Sequence, residues 1–248
     1  MKSASIILLF LIGVSGIYDA QSQESQNKAA KAFSRIKLKA NKVSDVTLMN
    51  DYGKRYKARV RFPDDIKNKK PLIVALHYAG NYGTYKEFHD CLVAPGLKEL
   101  NAYVICPEGE EQLWTTENNI EKIRSLVHMA IKYWNIDKTQ IAIMGYSNGG
   151  NGSWFFAEHY PELFSAAIPM ASSYPVKTKI SIPVYAIHGA KDELFLASKT
   201  ENYINSGIEK GSNITFIKNE RLSHFEACAY SEELKKSTKW LQNIWNIK

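Results

Sequence analysis

The chain of 248 residues is 45% hydrophobic, 12% aromatic and 23% charged, a balance that excludes wholesale disorder and supplies one substantial core. Its net charge of +7 would admit an acidic partner, yet the lysines are scattered in short clusters such as Lys67-Asn68-Lys69-Lys70, and no nucleic-acid-binding module is present. The three cysteines, Cys91, Cys106 and Cys228, allow one internal disulfide at most, with the pairing left open, and they lack metal-ligand spacing.

At the N-terminus, Lys2 precedes the apolar run Ile6-Ile7-Leu8-Leu9-Phe10-Leu11-Ile12 and the small residues Gly13-Val14-Ser15-Gly16. This order reads as a secretory signal over residues 1–20, cleaved near Ala20. The run is short for a bilayer span, so a membrane anchor is the weaker alternative. The mature chain is therefore expected to be secreted or periplasmic, without stable membrane insertion. Residues 21–35 are polar and alanine-rich and read as a mobile lead-in; residues 36–248 read as one domain.

Val43 to Met49 and Tyr56 to Phe62 alternate as strands do, and the turn residues Asn50-Asp51-Tyr52-Gly53 join them into an antiparallel pair. Short continuous apolar runs follow: Leu72 to Leu76, Ala102 to Cys106, Ile141 to Met144, Ala166 to Pro169 and Val184 to Ile187. Runs without alternation suit strands buried on both faces of a parallel sheet. Helical patterns lie between them, over Thr84 to Leu100, Ile120 to Trp134, Gly150 to His159, Ala197 to Ile208 and Ser231 to Ile247. The alternation predicts a mostly parallel, doubly wound α/β sheet, with no stretch long enough for a large lid.

Ligands of such sheets bind beyond the carboxyl ends of the strands, which selects among the polar residues. Gly145-Tyr146-Ser147-Asn148-Gly149 follows a predicted strand, opens a predicted helix and fits G-x-S-x-G. In that setting Ser147 is a candidate nucleophile on a tight turn. Asp192 follows Val184 to Ile187, and His224 follows Ile214 to Ile217. A serine hydroxyl needs a base to take its proton, and the base needs an acid to hold its tautomer. His224 is the candidate base and Asp192 the orienting acid, with neighbouring Glu193 as the rival acid and His188 as a weaker rival base. The negative charge that develops on the substrate needs fixed donors. The backbone N–H groups of Asn148 and Ala79 are expected to supply them. His77 reads as a residue that shapes that loop, and Trp154 as core. Tyr78 and Trp114 border the expected pocket, and for Trp114 a substrate wall and plain packing are equally open.

These residues resemble the α/β-hydrolases of the compact carboxylesterase type, which include acyl-protein thioesterases and phospholipase/carboxylesterase relatives. The likeness is greater still to secreted esterases once labelled predicted peptidases, whose elbow continues as G-x-S-x-G-G-x-G-[ST]-W, matched here through Gly149-Gly150-Asn151-Gly152-Ser153-Trp154. Tyr160-Pro161-Glu162-Leu163-Phe164-Ser165-Ala166-Ala167 is also similar to a segment of that superfamily. The resemblance implies an α/β-hydrolase fold and hydrolysis of carboxylic esters without a cofactor. Small acyl or polysaccharide-linked esters are the expected substrates, with peptidase, thioesterase and lysophospholipase activities as alternatives. Two positions depart from the pattern: Tyr78 stands where the family usually has glycine, and Asn148 where methionine or glutamine is commoner. A bulky Tyr78 keeps open a reading of another class, a binding module with a dead site. A dienelactone-hydrolase-like enzyme is disfavoured, because such enzymes carry cysteine at the elbow.

Overall fold

The computed structural model describes residues 23–110 and 113–247. The signal expected over residues 1–20 lies outside the described residues. One eight-stranded sheet runs through the molecule in the order β1-β2-β4-β3-β5-β6-β7-β8. β1 (Val43–Met49) and β2 (Arg55–Arg61) pair antiparallel, and β2 pairs antiparallel with β4 (Tyr103–Pro107). The remaining strands, β3 (Lys70–Leu76), β5 (Ile136–Tyr146), β6 (Ala166–Met170), β7 (Val184–Lys191) and β8 (Ile214–Ser223), join in parallel. The fold is the α/β-hydrolase arrangement expected from the sequence.

The central strands are buried on both sides, and their alternate residues feed two separate cores. Leu72, Val74 and Leu76 of β3 face one layer, while Ile73 and Ala75 face the other. Helices α4 (Glu117–Tyr133), α5 (Asn148–His159) and α6 (Ala197–Glu209) contribute Ile123, Leu126, Trp154, Phe156 and Ile204 to the first layer. Helices α2 (Thr84–Phe88) and α7 (Ser231–Ile244) contribute Tyr85, Phe88, Leu234 and Leu241 to the second, and short α3 (Ala94–Gly96) packs its Gly96 against Leu234 of α7. Such double coverage is why the strands read as unbroken apolar runs.

Three expectations change. Residues 23–34, placed in a mobile lead-in by their composition, form helix α1. It buries Ala29 and Phe33, and Phe33 packs its ring 5.7 Å from that of Trp134. The helix predicted over Thr84 to Leu100 is interrupted: a wider turn over His89–Val93 separates α2 from α3, and Pro95, which has no N–H, sits in the opening turn of α3 where none is needed. β5 and β8 outrun their apolar segments: Asp137 to Gln140 fill the stretch between Ile136 and Ile141 where the register with β3 shifts, and polar Lys218 and Asn219 carry the pairing of β8 on to His188 and Gly189 of β7. Among the described residues no helix is long and apolar enough to cross a membrane.

The strand order decides where a ligand can sit. β3 lies between β4 and β5, so the chain builds outward on one side of β3 and then crosses to the other. A crevice opens at the carboxyl ends where the direction reverses. The loop after β3 and the turn after β5 meet there.

Candidate active site

Ser147 sits between β5 and α5 with φ 55° and ψ −115°, a conformation that non-glycine residues rarely hold. Neighbouring bonds hold it in place: the Ser147 N–H donates to Met170 O at 2.9 Å, and its carbonyl accepts the first bond of α5, from Asn151 N–H, at 2.9 Å. The flanking glycines permit the turn. A Cβ at Gly145 would come within 2.2 Å of Gly149 O, and one at Gly149 within 1.9 Å of Leu76 O. Both approaches are impossible for any larger residue.

Three loops from three strand ends bring their side chains into one line. Ser147 Oγ lies 2.9 Å from His224 Nε2, and His224 Nδ1 donates to Asp192 Oδ2 at 2.8 Å. Asp192 is wholly buried at its side chain. Its other oxygen accepts from the N–H groups of Leu194 and Phe195 at 3.0 and 2.7 Å. Burial alone would push this carboxyl up; the bonds from His224 and the Phe195 N–H outweigh it and hold the pKa below the usual value. Asp192 is therefore a fixed anion facing the ring.

The rival residues fall to either side of this line. Glu193 accepts the main-chain N–H of His224 at 2.9 Å and does not meet the ring nitrogens. His188 is buried, bonds Phe195 O through Nε2 at 2.7 Å, and lies 3.5 Å from Asp192 Oδ2, the oxygen that the His224 ring meets at 2.8 Å. It supports the turn that carries Asp192. Burial lowers its pKa against the opposing pull of the Phe195 carbonyl and Asp192.

The loop after β3 has its own scaffold. His77 Nδ1–H donates to Tyr78 O at 2.6 Å, and Nε2 accepts from Gly109 N–H at 2.9 Å. One donor and one acceptor specify the neutral ring, and burial lowers the pKa in agreement. Trp114 donates from Nε1 to His77 O at 2.9 Å and is only 2% exposed. Of the two readings left open for Trp114, the structure shows the packing directly: the indole braces the loop, and its edge also lines the larger of the clefts beside it. Trp154 is core, as expected.

Two clefts meet at this loop. The smaller, about 390 Å³, is lined by Ser147, His224, Tyr146, Leu194, Phe225 and Ala227. The larger, about 780 Å³, opens past Asn148. Tyr78 and Ala79 line both. Tyr78 turns its ring edge-on to Phe88 at 6.0 Å and to Tyr146 at 6.2 Å. Asn148 opens α5, so its N–H belongs to the first turn, where helical donors have no partner.

Sequence reasoning missed the supports. Tyr146 donates from its hydroxyl to His224 O at 2.7 Å, and Cys91 is bonded to Cys228, four residues beyond His224. Cys106 is the free, buried thiol. Spacing in the chain held no signal for that pairing, which bridges 137 residues.

Known proteins share this fold and parts of this sequence. The acetylxylan esterase of Coprinopsis cinerea is 28% identical over 128 residues, which cover 45% of this chain and 33% of that one. The chain spans between a third and a half of the length of the curated acetylxylan esterases it matches. An esterase of Pyrobaculum calidifontis superposes with a TM-score of 0.67 at 14% identity, covering 98% of both chains. A ferulic acid esterase does so with a TM-score of 0.67 at 16% identity, covering 82% of this chain and 98% of that one. These structures share the fold. The family pattern that matches, over residues 106–238, is that of the dienelactone hydrolase family. This corrects the expectation drawn from the elbow serine, since the pattern spans the scaffold from β4 to α7 and a single exchanged side chain leaves that scaffold unchanged. The match covers just over half of the chain, and with Ser147 at its elbow the chain belongs to the dienelactone hydrolase family.

Proposed function

We propose that the protein is a serine esterase that cleaves carboxylic esters through an acyl-enzyme. The observation that carries this reading is the unbroken hydrogen-bond line from Ser147 Oγ through His224 to Asp192, at 2.9 and 2.8 Å. His224 takes the serine proton as Oγ attacks the carbonyl carbon, and Asp192 stabilises the imidazolium that forms. The N–H groups of Ala79 and Asn148 receive the oxyanion. His224 returns the proton to the leaving alcohol. It then activates a water that frees the acid from Ser147.

Small acyl groups, including acetyl and feruloyl groups linked to polysaccharides, are the proposed substrates. The names of the acetylxylan esterase and ferulic acid esterase relatives support this choice. So does the modest size of the cleft that Ser147 lines. Secretion is supported by the basic and apolar start of the chain and by the Cys91–Cys228 disulfide, a bond that persists in oxidising compartments.

Ser147→Ala is expected to lower kcat on 4-nitrophenyl acetate by about 10⁴-fold or more, with an unchanged melting temperature. A fluorophosphonate probe is expected to label the parent protein at Ser147 and to leave the variant unlabelled. Equal turnover by parent and variant overturns the assignment. A parent protein that neither turns over ester nor takes the label belongs to the dead-site class that Tyr78 kept open.

A further inference from the structure

We propose that the larger cleft, beyond Asn148, is a binding subsite for a neutral sugar ring, the saccharide portion of an ester whose acyl group lies at Ser147. The proposal rests on the esterase reading for the position of the acyl group, but the subsite has its own physical basis. The two clefts share Tyr78 and Ala79, so a ligand that starts at Ser147 and passes Ala79 enters the larger space. A volume of about 780 Å³ exceeds what an acetyl group fills and suits one or two sugar rings.

The lining is wrong for an acyl chain. Lys54, Arg55, Asn81, Glu108 and Glu110 present charges and an amide, and a hydrocarbon placed among them would strip water from groups it cannot pair. Sugar hydroxyls each donate and accept, so they match a wall where carboxylate acceptors stand beside ammonium and amide donors.

The wall is also prebuilt. Lys122 lies beneath it, fully buried, with its ammonium on Glu108 O at 2.8 Å, on Asn119 Oδ1 at 3.1 Å and on Glu110 Oε1 at 3.1 Å. Lys54 pairs with the other oxygen of Glu110. Glu108 Oε1 accepts Gly83 N–H at 3.0 Å, which ties the opposite wall to the same frame. A buried ammonium is costly unless fully bonded, and here its bonds hold the polar wall rigid before any ligand arrives. Lys54 and Lys122 both converge on Glu110, and Glu108 and Glu110 balance Lys54 and Arg55 of the lining, so the wall carries no net charge to select an anion and suits an uncharged polyol.

At the rim, Tyr82 is 74% exposed, and Lys57 Nζ sits 4.8 Å above its ring. The ammonium fixes one face of the ring at the cleft mouth. The other face offers a flat apolar surface to the C–H face of a sugar.

Titration of xylotetraose into the Ser147→Ala protein reads the subsite without turnover. Saturable binding is expected, and Tyr82→Ala should weaken it about tenfold, as expected for loss of one ring contact. In the protein with Ser147 intact, Tyr82→Ala should reduce kcat/KM on an acetylated xylo-oligosaccharide about tenfold more than on 4-nitrophenyl acetate. Absence of saccharide binding alongside normal turnover of 4-nitrophenyl acetate overturns the subsite and leaves the esterase reading standing. An equal effect of Tyr82→Ala on both substrates overturns it as well. Saccharide binding that Tyr82→Ala weakens, in a protein that hydrolyses neither ester, supports the subsite and removes the esterase reading.

Discussion

The hydroxyl of Tyr146 donates a hydrogen bond to the main-chain carbonyl of His224 at 2.7 Å. The residue before the proposed nucleophile thus carries the loop of the proposed base, and the two halves of the proposed proton relay share one rigid link. Burial pushes the Tyr146 phenol far up, so the hydroxyl stays a donor at any working pH. Tyr146→Phe removes the link and leaves a buried carbonyl short of a partner, at a cost of about 1 kcal/mol. The expected result is a lower melting temperature and a kcat on 4-nitrophenyl acetate reduced about tenfold, with KM nearly constant. A variant that melts lower yet keeps full kcat would show that the link serves stability alone.

Adjacent acids divide the work at the base. Asp192 meets the His224 ring, whereas Glu193 meets its backbone. Asp192→Asn places an amide opposite Nδ1 and favours the wrong tautomer, so kcat should fall by about 10⁴-fold. Glu193→Gln keeps an oxygen for the His224 N–H and should cost less than about tenfold. Kinetics of the two variants side by side test the assignment. A reversed order would make Glu193 the orienting acid.

Much of the geometry of this candidate site was legible because the proposed chemistry imposes spacing on the chain. G-x-S-x-G needs its glycines where a Cβ at Gly145 or Gly149 would strike backbone carbonyls. Buried strands announce themselves as apolar runs, and the site residues follow those runs at the carboxyl ends. What could not be read is whatever depends on distance across the fold. The pairing of Cys91 with Cys228, the bond from Tyr146 to His224 and the burial of Trp114 beneath the loop that carries His77 arise from tertiary packing. Helix α1 was hidden for a related reason: in its polar segment Ala29, Ala30 and Phe33 face the core, and so thin a stripe, two of its three members alanines, does not stand out as periodic.

Buried histidines predict the response to acid. Burial holds the pKa of His77, His89 and His188 below the ordinary 6.5. Each ring therefore stays neutral in the folded chain at a pH where the unfolded chain already binds a proton. Below pH 6.5 the unfolded state gains protons that the folded state refuses, so stability must fall as pH drops through that value toward the lower folded-state pKa values. Each fully differential proton contributes a slope of ~1.4 kcal/mol per pH unit. The lowered pKa of Asp192 adds a loss of the same sign further down, below 3.8. Urea midpoints measured from pH 8 to pH 5 should decrease, and His188→Gln should flatten part of the decline. A midpoint that is constant over this range would contradict the neutral assignments.

The Cys91–Cys228 disulfide closes a sequence separation of 137 residues and ties the wide turn after α2 to the short helical turn Ala227–Tyr230. On the chain-entropy account a loop of that length is worth ~5 kcal/mol at most, and engineered cases commonly deliver less. The bond also reaches the proposed site, since Cys228 and Ala227 line the cleft that holds Ser147 and His224. Cys228 is exposed and Cys91 partly so, which leaves the bond open to a soluble thiol, whereas burial raises the pKa of Cys106 and keeps it inert. Reduction with dithiothreitol at neutral pH is therefore expected to lower both the melting temperature and kcat. Cys91→Ser combined with Cys228→Ser should reproduce both losses and abolish any further effect of the reductant. If reduction lowers the melting temperature while kcat on 4-nitrophenyl acetate holds at temperatures well below it, the disulfide stabilises the fold without positioning His224.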